Sequence, residues 1–253
     1  MIGPFPIGTQ GACVAALLMA PFIGSFLGVL ILRLPAGRSV VWSRSRCDTC
    51  GAPVRPWDLV PIVSFLMLRG RCRDCGGRIG RMHLAIEVAS LLIPLWAQTV
   101  ETDIGWFWAD CLLGWTLLAL AWTDVHDLIL PDALTLPLTL AGLATTYTLE
   151  RSATFDHALG ACLGYLSFRV IEILYRRLRK RDGLGQGDAK LMAAAGAWVG
   201  WALLPLLVVG AAVGGIVLAL VSAHRRSASA SEILIPFGAS IACSLWLVRL
   251  YLT

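Results

Sequence analysis

Two sets of residues in this chain have the types and spacing that chemistry needs. The first is a pair of acidic sites. Asp188 stands within Gly185-Gln186-Gly187-Asp188-Ala189-Lys190, just before an apolar run, and Asp124 opens Asp124-Val125-His126-Asp127-Leu128-Ile129-Leu130-Pro131-Asp132, just after another. Two carboxylates held close together cannot both ionise easily, so they share one proton. The ionised partner can take a proton from water while the protonated one donates to a scissile carbonyl. That is aspartyl proteolysis, which needs neither a metal nor a covalent intermediate. The second set is Cys47-x2-Cys50 and Cys72-x2-Cys75, two knuckles separated by 21 residues. Four thiolates at this spacing match a closed tetrahedral zinc site, structural because no position is left for water. Gly51, Gly76 and Gly77 follow the pairs, where knuckle turns call for positive φ. Two disulfides are the alternative in an oxidising compartment.

Plainer readings stand beside these. Asp188 can cap the helix it begins, where a carboxylate is favoured. Asp132, after Pro131, can do the same for the next helix, and Asp127 can be a solvated loop charge. Cys13, Cys111, Cys162 and Cys243 lie in apolar runs and read as small packing residues. His83 and His126 are too isolated for a metal pair and read as interfacial or loop histidines.

The elements that must hold these residues are membrane helices. Of 253 residues, 57% are hydrophobic and 15% charged, and mean hydropathy is +0.74. Apolar runs recur at close to the ~20 residues that cross a hydrocarbon core. The expected fold class is therefore all-α: a polytopic membrane protein with about eight transmembrane helices, near 12–32, 84–100, 105–123, 132–149, 156–175, 188–200, 202–222 and 233–251. The sixth is short and shares a tight turn near Gly200 with the seventh. The first follows a stretch without basic residues and is longer than a signal-peptide core, so it is expected to be retained.

Charge orients the chain. The net charge is +5, and Lys180 and Lys190 are the only lysines. The basic residues flank apolar runs rather than striping a soluble face, which argues against nucleic acid as a partner and for membrane lipid. Ten arginines lie between Arg33 and Arg81, more run from Arg176 to Arg181, and Arg225 and Arg226 follow the seventh run. Alternation puts these loops on one side, the cytoplasm by the positive-inside rule, with both termini opposite. The cysteines then face a reducing compartment, which favours zinc. Asp124 and Asp188 fall at cytoplasmic span ends, at one depth, where ionisable groups are costly and point to function. The expected organisation is a first span (1–33), a cytoplasmic zinc-binding loop (34–82) and a transmembrane peptidase core (83–253). The loop, punctuated by Pro35, Gly37, Pro53, Pro56 and Pro61, needs a staple to fold. No internal repeat is evident, and Ser227–Ser231 reads as a short linker.

With these residues in view, the chain resembles the bacterial type IV prepilin leader peptidase / N-methyltransferase family, related in its chemistry to presenilin-type G-x-G-D proteases. Gly24-Ser25-Phe26-Leu27 with Arg33-Leu34-Pro35 resembles the first-span motif of that family. The knuckles with Arg69-Gly70-Arg71-Cys72 resemble its zinc loop. Asp124 with Leu130-Pro131-Asp132, and Gly185 to Lys190, resemble its two catalytic motifs, and Ile235-Pro236-Phe237-Gly238 its last-span motif. The resemblance implies cleavage, after a glycine, of the basic leader of prepilins or pseudopilins at the cytoplasmic face of the inner membrane, in pilus, type II secretion or competence systems. It implies Asp124 and Asp188 as the catalytic pair. For many members it also implies methylation of the new N-terminus with S-adenosylmethionine. Glu87 resembles an acidic position toward that cofactor, and equally reads as an interfacial charge at a helix start. Gly28, Arg71 and Arg81-Met82-His83 depart from the pattern and bear on the methyltransferase half. Rival functions are a non-enzymatic membrane scaffold whose zinc loop docks a secretion partner, and an ion transporter. The transporter would place its carboxylates at mid-span, not at span ends.

Overall fold

The structure, a computed structural model, describes residues 7–42, 44–179, 185–226 and 236–253. Lys180, Arg181, the Ser227–Ser231 linker and Ile235 lie outside the described residues. The regular elements are helices: α1 (Ile7–Arg33), α2 (Val63–Met67), α3 (Arg81–Val100), α4 (Ile104–Asp127), α5 (Asp132–Leu149), α6 (Thr154–Arg179), α7 (Gln186–Val199), α8 (Leu204–Arg226) and α9 (Phe237–Leu252). Each expected span falls on one of them, and α2 is the addition. Among the described residues five are long and apolar enough to cross a membrane, at α1, α3, α4, α6 and α8. The chain is an all-α, multi-pass membrane protein. In α5, threonines and Asp132 dilute the apolar character. Thr139, Thr146 and Thr148 return their hydroxyls to the carbonyls of Thr135, Gly142 and Ala144, at 2.9, 3.0 and 3.0 Å, so these hydroxyls are satisfied without water.

The chain divides into two compact units, Met1–Ala119 and Leu120–Thr253. In the first, α1 and α3 form a long antiparallel pair. Its register is pinned by polar links: Gln98 Nε2 donates to Thr9 Oγ1 at 2.7 Å, and Ser90 Oγ to the Ala20 carbonyl at 2.6 Å. At Gly24 the backbones meet so closely that a methyl group would stand 2.7 Å from Glu87 Cα. Small residues of this kind let membrane helices pack by dispersion contact.

Between α1 and α3 the chain forms the two knuckles, and these are a structural repeat that the expectation of no repeat missed. Arg46 bridges to Pro53 as Arg71 bridges to Arg78. The Cys47 N–H donates to the Ala52 carbonyl as that of Cys72 does to Gly77, at 2.9 and 2.7 Å. Gly51 and Gly76 both take φ +70. Gly77 does not adopt positive φ as expected. It gives space instead, since a methyl there would lie 2.7 Å from Thr49 Oγ1.

In the second unit α7 is the central helix, packed against α6, α5 and α9. It has 14 residues, of which Asp188, Ala189, Leu191, Met192 and the run Ala194–Val199 are buried. At roughly 21 Å it is shorter than the hydrocarbon core, and its neighbours rather than lipid cover it. At its far end Gly196 meets Gly160 of α6 backbone to backbone. Gly200, at φ +73, makes the expected tight turn into α8.

Candidate active site

Asp124 occupies the last turn of α4 and is 5% exposed. Leu128 takes φ +54 and returns its N–H to the Asp124 carbonyl at 3.0 Å, which ends the helix. Leu130, also buried, then wedges between two helix starts. A methyl group at Gly187 would stand 2.8 Å from Leu130 Cβ, and one at Gly238 would stand 2.8 Å from Leu130 Cδ1. Bare glycines thus let α7 and α9 close on the Asp124–Pro131 segment.

This closure gives each aspartate a backbone partner. The Ala239 N–H, in the first turn of α9, donates to Asp124 Oδ2 at 2.9 Å. Asp188, 8% exposed, accepts the Gly185 N–H at 3.2 Å through Oδ2. Helix N-termini offer unpaired N–H groups and a partial positive charge, so both carboxylates sit where an anion is favoured. Gly187, the neighbour of Asp188, packs on Leu130, and Gly238 lies against both Leu130 and Asp124 Oδ2. The structure therefore brings the two expected aspartates together at the meeting of α4, α7 and α9. Asp188 fulfils the plainer capping reading at the same time.

The flanking charges sort differently. Asp127 is exposed, as the solvated reading expected. Asp132 opens α5 and pairs with Lys190 of α7 at 2.5 Å, tying the two acidic motifs together beside the dyad. Phe237 stacks on Phe168 of α6, ring centroids 6.3 Å apart, and so holds the start of α9. Sequence reasoning gave no role to Leu130, Lys190, Phe237 or Ala239. Gly238 was noted only as part of a motif, and its lack of a side chain was the available signal.

The first unit holds the other candidates. The Sγ atoms of Cys47, Cys50, Cys72 and Cys75 lie within 4.8 Å of one another, with Cys47 and Cys75 at 3.8 Å. A tetrahedral zinc with Zn–S bonds of about 2.3 Å needs S···S separations of about 3.8 Å, whereas a disulfide needs about 2.05 Å. All four thiols are free. The N–H groups of Cys50 and Thr49 lower the Cys47 thiol to about 6, whereas Cys75, despite the Gly77 N–H, is pushed up to about 12 by the neighbouring thiols, so the cluster favours its first thiolate at Cys47. The four residues can hold a metal ion. The knuckles are tied to the intervening chain by Arg73, which donates to Asp58 at 2.6 Å and holds that carboxyl below its ordinary range.

Beside the knuckles is a cavity of about 340 Å³ lined by residues that include Ser25, Asp58, Phe65, Arg73, His83 and Glu87. Glu87 is buried. Its Oε2 accepts the Ile62 N–H at 2.7 Å. Ile62 stands at φ +61, ψ −54, with the Val63 N–H on the Pro61 carbonyl at 2.5 Å. This is a γ-turn of the rare, strained kind, on a β-branched residue. Glu87 pins that turn, a role its sequence position does not announce. His83 lies over Gly28, where a methyl would come 2.8 Å from Nδ1. Two of the departures noted in the sequence are thus complementary: the side chain missing at 28 is the space His83 fills.

Comparison with known proteins agrees along most of the chain. Residues 18–100 match the Bacterial Peptidase A24 N-terminal domain, and residues 111–220 match the Type IV leader peptidase family. A prepilin leader peptidase/N-methyltransferase of Pseudomonas aeruginosa is 33% identical, over 93% of this chain and 89% of that protein. The chain belongs to the type IV leader peptidase family. Proteins with the same description from Burkholderia pseudomallei and Aeromonas hydrophila are 36% and 34% identical to this leader peptidase, over 94% and 92% of its length and 84% and 89% of theirs. No solved structure matches it.

Proposed function

We propose that this leader peptidase cleaves the basic leader of prepilins or pseudopilins at the cytoplasmic face of the inner membrane, with Asp124 and Asp188 as the catalytic pair. The observation that carries this reading is the burial of both carboxylates where α4, α7 and α9 meet, each on a backbone N–H at a helix start. In the proposed step one carboxylate takes a proton from water as the oxygen attacks the scissile carbonyl. The other protonates the carbonyl oxygen, and the proton then passes to the leaving amine. Incubation of the purified protein with a prepilin tests the reading, and the scaffold alternative requires that no cleavage occur.

The notch at Gly238 makes a sharper test of geometry. Gly238→Ala puts a methyl group 2.8 Å from Leu130 and 3.0 Å from Asp124 Oδ2, and something must move. Displacement on the ångström scale costs about 100-fold in rate. The expected result is a fall of that order in kcat with metal content and membrane level unchanged. Wild-type kcat would refute the placement of Asp124.

We further propose that Cys47, Cys50, Cys72 and Cys75 hold a structural zinc, and that the adjoining cavity admits S-adenosylmethionine for N-methylation of the mature pilin. The volume is within the range of small-molecule sites, and the carboxylate of Asp48 in its lining suits a cationic nucleoside. When bound, that cofactor supplies the methyl group. The residues of this chain shape its site, and Glu87 does so through the Ile62 turn. Glu87→Gln retains an oxygen to accept the Ile62 N–H, whereas Glu87→Ala leaves the strained turn unpinned. Methylation is expected to survive in the first and be lost in the second, with leader cleavage intact in both, as mass spectrometry of the mature N-terminus will report. Loss with Gln as severe as with Ala would mean that the charge of Glu87, not its hydrogen bond, is required.

The orientation follows from eight crossings and the arginine bias. A reporter fused after Arg179 is expected to read cytoplasmic and one after Thr253 to read outside. A cytoplasmic reading at Thr253 would remove one crossing from the count.

A further inference from the structure

We propose that the four-cysteine segment carries a membrane-embedded face of its own: the outer side of α2, with Trp57 and Leu59 before it, lies in the headgroup–acyl boundary of an anionic bilayer. Ser64, Phe65 and Leu68 of this short stretch line the cavity. Val63, Leu66 and Met67, at i, i+3 and i+4, share the other side. Leu66 and Met67 are 62% and 79% exposed, and Trp57 is 62% exposed.

The face is rigidly presented. At its start Glu87 pins Ile62. At its end the Gly70 N–H donates to the Phe65 carbonyl at 2.8 Å, and Arg69 and Gly70 turn the chain at φ +52 and +65. A preorganised apolar side turned outward needs a non-aqueous neighbour.

Lipid is the neighbour the surroundings favour. The segment leaves the membrane at Arg33, the last residue of α1, and returns at Arg81, the first of α3, and these two helices pack side by side. It therefore lies against the bilayer surface. Ten arginines stand between those points against three aspartates, Asp48, Asp58 and Asp74. Asp58 and Asp74 are already paired with Arg73 and Arg55, which leaves an excess of guanidinium for anionic headgroups. Trp42, 90% exposed, stands at the exit of α1, where Arg33 holds the carbonyls of Ser39 and Val40 at 3.2 and 3.1 Å. Tryptophan and arginine around an apolar patch are the composition of an interfacial anchor.

Photolabelling of the full-length protein tests this. The protein is reconstituted in phosphatidylethanolamine–phosphatidylglycerol vesicles containing a phospholipid with a diazirine in its acyl chain, and adducts are mapped by mass spectrometry. Adducts are expected on the 57–67 peptide at yields comparable with those on the outward residues Leu92 and Leu95 of α3. They should fall several-fold in phosphatidylcholine vesicles, and be lost in a Leu66→Asp, Met67→Asp double variant whose α3 adducts persist. A 57–67 segment unlabelled while α3 is labelled would overturn the proposal. So would a face shielded from lipid by a second copy of the chain or by a bound prepilin.

Discussion

Asp124→Asn and Asp188→Asn are each expected to abolish leader cleavage, lowering kcat by at least about 10⁴-fold, the upper range for a general acid–base group. The substitutions are informative because they spare the geometry. An asparagine oxygen can still accept from Ala239 at position 124 or from Gly185 at position 188, so the contacts of α9 and α7 survive. What is lost is the exchangeable proton. The protein should accumulate in the membrane at the wild-type level. Asp127→Asn, on an exposed residue, should cleave at close to the wild-type rate. A catalytic pair that shares one proton loses rate on both sides of a pH optimum, and a bell-shaped profile is the expected result for the wild type. Near-normal cleavage of a prepilin by either dyad variant, measured with purified protein, would refute the assignment.

Loss of any one of Cys47, Cys50, Cys72 or Cys75 is expected to collapse the segment between α1 and α3. Among the described residues this segment has two short helical turns and two isolated bridges as its regular structure. It therefore depends on its crosslink, and the binding free energy of a structural zinc, about 10–16 kcal/mol in small domains, is folding free energy. Purified wild-type protein should contain one zinc per chain. Each Cys→Ser variant should lose it, become sensitive to proteolysis within residues 34–82, and fail to methylate. Metal analysis and limited proteolysis read this directly. Metal-free, fully active protein with the four thiols oxidised would show that disulfides do the work instead.

The parts of the molecule legible in the sequence were those encoded locally. Apolar run length gave the helices, and the C-x2-C spacing gave the thiol cluster, since a knuckle closes on itself within a few residues. Asp124 and Asp188 stood out because charge beside an apolar run is costly. The rest depended on approaches between distant segments. That Leu130 would fill a notch made by Gly187 and Gly238, or that Ala239 would turn its N–H on Asp124, depends on packing among four helices. The pinning of Ile62 by Glu87 was hidden for another reason: isoleucine is among the residues least expected at positive φ. The knuckle repeat escaped notice because little beyond Arg-Cys-x2-Cys-Gly recurs. The sixth apolar run, 188–200, falls on the short α7, most of which its neighbours bury.

The Asp124–Ala239 hydrogen bond has a consequence for timing. Its acceptor lies at the end of α4 and its donor in α9, 115 residues later. Translation and insertion proceed from the first to the second, so a nascent chain holds both aspartates for some time before the amide that positions one of them exists. Until α9 docks, Leu130 also lacks the glycine that completes its notch. The contact that positions Asp124 is therefore among the last to form as the chain is made, and a chain cut before α9 is expected to hold both aspartates without the amide that orients one of them.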